Sequence, residues 1–268
     1  MRIQHNIAAL NANRQLSGNN SAISKSLEKL SSGYRINRAG DDAAGLSISE
    51  KMRSQISGLD TAKKNAEDGI SLIQTAEGAL TEVHSMLNRM VELATQSANG
   101  IYEQSDREKI QAEVNALNSE ITRIATNTTF NGQKLLTQGS QTFQIGPNTA
   151  DVITVGLSSM DASALKISTI SVTNVAGSTS AIASINDAIN QVSTFRSNLG
   201  AIQNRLEHTV NNLSVNSENL TAAESRIRDV DMAEEMMNYT KNNILTQAAQ
   251  SMLAQANQLP QGVLQLLQ

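Results

Sequence analysis

The sequence predicts a mainly α fold: long antiparallel helices in a coiled-coil-like rod, with paired terminal helices and a small β-hairpin. Two matched heptad runs and two amphipathic chain ends carry that prediction. In the first run Leu59, Ala66, Ile73, Leu80, Leu87 and Ala94 recur every seventh residue. Ala62, Gly69, Ala76, Val83 and Met90 follow at three-residue offsets. Two apolar columns at this spacing form one packing seam on a helix. No proline interrupts Ile48 to Asn99, and at ~1.5 Å per residue the stretch is roughly 75 Å long. Its second column is small, which admits a close neighbour with large side chains.

The second run supplies them. Ile185, Val192, Leu199, Leu206, Leu213, Leu220 and Ile227 again recur every seventh residue, with Ala188, Phe195, Ile202, Ala223 and Val230 between. Large residues opposite small ones make the two runs antiparallel partners, bringing both chain ends to one end of the rod. Thr209 and Asn216 fall in the second column, where a polar residue can fix register at some cost in stability.

Taken in order, residues 1–32 place Ile3, Ile7, Leu10, Leu16, Ile23, Leu27 and Leu30 at helical spacing with one phase slip. Arg2, Arg14, Lys25 and Lys29 make this arm basic, and Gly33 ends it. The glycine-rich stretch to Gly45 reads as a loop, with Asp41 or Asp42 as cap for the long helix. Asn99-Gly100 stops that helix. Ser105-Asp-Arg-Glu108 has capping-box spacing, and Ile110, Val114, Leu117, Ile121 and Ile124 continue a third helix to about Ala125. Asn127–Gly132 is turn-like. A β-hairpin is expected at about 142–157, from Thr142–Ile145 and Val152–Val155 around Gly146-Pro-Asn148. Ser158 to Ser180 is rich in small polar residues and reads as a connector or small cap. Residues 242–268 then carry no charge while Leu245, Ala249, Met252, Ala256 and Leu259 recur at helical spacing. Such a neutral amphipathic tail is poorly suited to standing alone in water.

Composition narrows the function. A net charge of −4 gives no global electrostatic support for nucleic-acid binding. The absence of cysteine excludes disulfide and thiol chemistry, and 2% aromatics argue against large aromatic anchors. No apolar run is long enough to span a membrane, and the amphipathic start lacks the apolar core of a secretory leader. His5, His84 and His208 lie far apart, with no metalloprotease, nucleophile-elbow or phosphate-loop pattern. His84 sits one position past the seam and reads as a boundary residue. The adjacent carboxylates Asp41 and Asp42 read as a cap ahead of a metal pair. Glu67-Asp68, Glu234-Glu235 and Arg35/Arg38 read as solvated faces. Met232, Met236 and Met237 suit either an adaptable contact surface or ordinary packing. Between Leu87 and Gly100, the residues Arg89, Glu92, Leu93 and Gln96 point away from the seam, so Leu93 is expected to be an exposed aliphatic. The chain thus reads as a non-enzymatic protein without cofactor, catalytic or metal residues.

Several of these stretches resemble bacterial flagellin, the subunit of the flagellar filament. The likeness is carried by Ile3–Asn11, by Leu30–Leu46, by Glu92–Gly100 and by Met252–Leu267. It implies that residues 1–33 and 234–268 form an inner terminal coiled-coil domain and 34–46 a spoke. Residues 47–233 would be the helical rod domain, and 158–180 a residual connector in place of an outer variable domain. Inner-arm assembly would fall to Ile3, Ile7, Leu10, Leu27, Leu30, Leu245, Met252, Leu259, Leu264 and Leu267. The rod-core seam would comprise Leu59, Ile73, Leu80, Leu87, Val192, Leu199, Leu206, Leu213 and Leu220. Tyr34 departs from the family pattern, in which a smaller or aliphatic residue is usual.

The resemblance further implies self-assembly into an extracellular helical homopolymer used for swimming, after export without a cleaved signal peptide. Its implied partners are an export chaperone at the C-terminal arm, the flagellar type III export apparatus, and hook-associated junction and cap proteins. A Toll-like innate immune receptor would be contacted by Arg89, Leu93 and Glu113, which equally suit packing along a protofilament. The alternatives are a hook–filament junction protein of the same superfamily and, from another class, an amphipathic membrane-binding protein. The signatures at both ends favour flagellin over the former, and the Gln-rich neutral tail speaks against the latter.

Overall fold

A computed structural model describes residues 6–266, with side chains described as far as residue 258. In chain order the elements are α1 (Ile7–Ser32), α2 (Ala43–Ala98), α3 (Gln104–Asn127), β1 (Thr129–Phe130), β2 (Gln133–Lys134), β3 (Gly139–Gln144), β4 (Val152–Leu157), α4 (Val175–Arg228) and α5 (Met232–Leu266). They divide between two compact units: Ser57–Ser217, and the two flanking segments up to Ile56 and from Glu218 onward.

In the Ser57–Ser217 unit the heptad columns of α2 are buried from Leu59 to Ser97. On α4, Ile185, Ala188, Val192, Phe195, Leu199, Leu206 and Leu213 are buried in turn. The two helices run antiparallel. Arg196 Nη2 donates to Glu77 Oε1 at 3.4 Å, and Ser217 Oγ to Asp60 Oδ1 at 3.0 Å, so advancing along one helix means retreating along the other. The small column is used as its composition suggests: a Cβ at Gly69 would stand 3.2 Å from Leu206 Cδ1. Of the rod-core residues, Leu59, Ile73, Leu80, Leu87, Val192, Leu199, Leu206 and Leu213 are buried. Leu220, in the other unit, is half-buried.

Three local readings are corrected here. Leu93 is only 2% exposed. Arg89 Nε reaches Glu113 Oε1 at 3.0 Å across to α3, and Leu93 lies one helical turn further along that same face. A helix with two helical neighbours needs an apolar stripe wider than one seam, and Leu72 and Leu93 are the additional buried residues. Thr209 and Asn216 do not bridge helices. Thr209 Oγ1 donates to its own helix at Arg205 O, and Asn216 Nδ2 to Asn212 Oδ1, because each finds a partner one turn back. Ser105 is not the cap of α3, which starts a residue earlier with Glu103 as N-cap and no side-chain capping bond.

The early start aims Arg107 back at the end of α2. Its guanidinium donates to the carbonyls of Ser97, Asn99 and Tyr102. Terminal carbonyls of a helix have no intrahelical donor; the buried arginine serves one at Ser97 and two more in the turn that follows α2. The turn-like Asn127–Gly132 becomes a two-residue hairpin joining β1 and β2. Asn131 and Gly132 hold φ of 48° and 79°, the left-handed pair that suits tight hairpins. β3 and β4 pair antiparallel with Phe143 opposite Ile153. Alternate residues Ile153, Val155 and Leu157 enter the core. Asn65 Nδ2 holds the hairpin to α2 through Gln144 O at 3.0 Å.

The predicted connector is shorter and more structured than its composition implies. α4 already begins at Val175, capped by Asn174 Oδ1 accepting from Gly177 N at 2.6 Å. Met160, Ala162, Leu165, Ile167 and Val172 are buried in the shared core. Irregular spacing hides such residues from a periodicity search, since no helix or strand period connects them.

Candidate assembly surface

The second unit is built on the chain ends. Asn6 caps α1, its Oδ1 accepting from Ala9 N at 3.0 Å. Gly33 ends α1 with φ 75°, donating its N–H to Lys29 O at 2.8 Å, the left-handed stop that glycine adopts without strain. Asp231 Oδ1 caps α5 by accepting from Ala233 N and Glu234 N. α1 and α5 lie side by side. Asn6 Nδ2 donates to Ala256 O at 2.7 Å near one end, and Lys29 Nζ stands 3.7 Å from Glu235 Oε2 near the other, so the pair is antiparallel.

The seam between them differs from the aliphatic pattern in the sequence. On α1 the less exposed positions include Ala9, Ala12, Leu16, Asn19, Ile23, Ser26 and Leu30, alternating by three and four without a slip, with Ala22, Glu28 and Lys29 flanking them. On α5 they are Glu235, Tyr239, Asn242, Thr246, Ala249, Leu253 and Ala256, alternating likewise. The phase slip inferred from aliphatics alone is therefore absent. Asn, Ser, Thr and Ala occupy seam positions, letting the helices approach closely. Counting every residue type at three-four spacing would have revealed the seam; counting aliphatics hid it.

Other large aliphatics point away from the seam. Ile7 is 58% exposed, Leu10 60%, Ile244 61% and Met252 64%, with Leu27, Leu245, Met232, Met236 and Met237 also exposed. Leu30 is half-buried. Ile3, His5 and Leu267 lie outside the described residues, as do the side chains of Leu259 and Leu264. An apolar face of this kind on a paired helix exceeds the scattered exposure of an ordinary surface.

A polar joint follows the pair. Gly33, Tyr34 and Arg35 meet the segment after α4: Arg35 N donates to Arg228 O at 2.6 Å and Val230 N to Gly33 O at 3.0 Å. The Arg228 guanidinium sits 4.7 Å from the Tyr34 ring centroid and donates to Glu50 Oε1 at 2.8 Å. Asp42 Oδ1 accepts from Gly45 N at 2.9 Å, capping α2. Asp41 Oδ2 accepts from Arg38 N at 3.0 Å and Asn37 N at 3.3 Å. The Arg38 amide, ahead of the other contacts, holds the Asp41 carboxyl below its ordinary range. Glu50 is likewise lowered, first by the hydrogen bond from Arg228. Arg38, read from sequence as solvated, joins Glu28 Oε1 at 2.8 Å.

In the Ser57–Ser217 unit, Arg89 forms ion pairs with Glu92 and Glu113, both at 3.0 Å. Glu92 and then Glu113 raise the guanidinium above its usual range. Arg89 and Glu113 thus share one exposed patch, and Leu93 lies buried beside it. His84 is half-buried with Nδ1 unpartnered. Among the described residues no three His, Cys, Asp or Glu side chains converge as metal ligands, and no helix is long and apolar enough to cross a membrane.

Comparison with known proteins identifies what such an arrangement belongs to. The family model for the bacterial flagellin N-terminal helical region matches residues 3–142, and that for the C-terminal helical region matches residues 182–267. Flagellin of Bacillus subtilis strain 168 is 55% identical, with all of both chains covered. Flagellin of Halalkalibacterium halodurans is 56% identical, again over the whole of both. The crystal structure of Bacillus cereus flagellin superposes with a TM-score of 0.52 at 30% identity, covering 60% of this chain and 94% of that one.

Proposed function

This chain belongs to the bacterial flagellin family, and on that premise we propose how its parts serve the filament. The chain is a structural, non-enzymatic subunit that polymerises into the flagellar filament, an extracellular assembly. In our reading, residues 1–33 and 234–268 form the inner layer, 34–46 the spoke, and 47–233 the surrounding helical layer. The observation that carries this reading is the pair α1–α5, closed along one face while Ile7, Leu10, Leu27, Ile244, Leu245 and Met252 remain outside it. One face of each helix is used within the subunit, and neighbouring copies cover the other.

Replacing Leu10 and Met252 by Asp tests this. The expected variant keeps the helical signal and melting of the Ser57–Ser217 unit, yet forms no filaments on seeding when viewed by electron microscopy. Normal filaments from the double variant would overturn the assignment. In dilute subunit, α1 and α5 should exchange their amides rapidly and become protected on assembly, since copies supply the missing burial.

The exposed, charge-poor α5 face also suits shielding by an export chaperone, transfer as an unfolded chain through the flagellar type III apparatus, and end contacts with hook-associated junction and cap proteins. Arg89 and Glu113, held together on the surface, suit contact with a Toll-like immune receptor, with the buried Leu93 supporting the patch from beneath. Arg89→Ala should weaken binding of the monomeric subunit to such a receptor by roughly tenfold, whereas Arg123→Ala should leave it unchanged.

A further inference from the structure

We propose that Asn6 is the register lock of the terminal helix pair, and that Pro260 makes the lock necessary. α5 continues through position 260 as helix. In an α-helix the N–H of residue 260 would donate to the carbonyl of residue 256, but proline has no N–H to give. Ala256 is buried, so water is a poor substitute, and a buried carbonyl left unpaired is costly. The donor comes from the opposite chain end: Asn6 Nδ2 bonds Ala256 O at 2.7 Å. The same amide group uses its other atom, Oδ1, to accept from Ala9 N at 3.0 Å. One side chain thus caps α1 and repairs α5.

This dual use specifies alignment. Sliding α1 along α5 by one turn, about 5.4 Å, would leave Ala256 O without its donor and take Lys29 away from Glu235. The apolar and small seam positions recur every turn or two and tolerate such slips; the proline-vacated carbonyl occurs once. A correctly registered pair presents its outer aliphatics at the spacing neighbouring subunits need, so Asn6 acts as a positioning residue for polymerisation. The inference rests on the filament reading above.

The test is a double-mutant cycle in the full-length chain, read as the critical concentration for seeded polymerisation by sedimentation. Asn6→Ser and Asn6→Asp both keep an α1 cap, but the serine hydroxyl is too short to reach Ala256 O and the aspartate carboxylate has no proton to donate. Each should raise the critical concentration roughly tenfold, with Asp the worse because its carboxylate faces a carbonyl oxygen. Pro260→Ala restores the missing N–H, so Asn6→Ser in that background should change the critical concentration less than threefold, about 0.65 kcal/mol or under. Equal effects of Asn6→Ser in both backgrounds, or normal assembly of Asn6→Asp, would overturn the lock. Failure of the unmutated chain to polymerise would instead count against the filament reading.

Discussion

The guanidinium of Arg228 lies 4.7 Å from the centre of the Tyr34 ring while its Nη1 donates to Glu50 Oε1 at 2.8 Å. One side chain therefore joins the end of α4 to both the loop after α1 and the start of α2. The aromatic ring at position 34 has a structural use as the face on which this cation rests. Arg228→Ala should destabilise this unit by roughly 1–3 kcal/mol, combining a cation–π contact with a partly buried ion pair. Tyr34→Leu should cost less, about 0.5–1 kcal/mol. Amide exchange of residues 33–50 would register both losses, and unchanged protection in Arg228→Ala would refute the role.

Two glycines of α2 should respond in opposite directions. A Cβ at Gly78 meets nothing within 4 Å, so Gly78→Ala should stabilise by about 0.5–1 kcal/mol through helix propensity. At Gly69 the new atom would already stand 3.2 Å from Leu206 Cδ1 and 3.4 Å from Phe143. Gly69→Val should therefore cost about 1–3 kcal/mol through overpacking. Thermal denaturation of the two variants side by side distinguishes a packing glycine from an incidental one.

Arg107→Met keeps the apolar stem and removes the guanidinium that serves Ser97 O, Asn99 O and Tyr102 O. Ser97 O in the last turn of α2 and Asn99 O and Tyr102 O in the turn after it would lose this donor together. A loss of about 3 kcal/mol is expected, measured as a fall in urea midpoint at unchanged slope. A shift below ~0.5 kcal/mol would mean water replaces the guanidinium freely.

Acid should loosen the joint before it affects the apolar core. Asp41 and Glu50 both have carboxyls held below their ordinary range, the first by the Arg38 amide and the second by Arg228. A group whose folded pKa is lowered contributes stability above its unfolded pKa and loses it as pH falls through the folded value. Stability from these two should be intact at neutral pH, decline below the usual carboxylate range, and vanish once both are protonated. Asp41→Asn and Glu50→Gln should flatten that acid limb in circular-dichroism titrations. Because both groups are largely exposed, high salt should shrink the Glu50 effect more than the Asp41 effect, which rests on backbone hydrogen bonds.

The heptads of α2 and α4, the glycine stop at Gly33, a cap at Asp41 or Asp42 and the β3–β4 hairpin were legible in the sequence. Each depends on a local rule: apolar period, backbone conformation or turn chemistry among neighbouring residues. That the terminal arms carry large aliphatics at helical spacing was legible for the same reason; which of them face outward was not. Tertiary structure alone decided that Leu93 is buried, because the width of an apolar stripe depends on how many helices surround it. It also decided that Arg107 donates to the end of another helix, that Met160 to Val172 fill a core without any period, and that Ser26, Thr246 and Ala249 share the closing seam of the arms with Leu16, Ile23, Leu30 and Leu253. Asn6 and Ala256 are 250 positions apart. No periodicity connects them, and only the folded chain brings a spare amide to a carbonyl that proline has left without a donor.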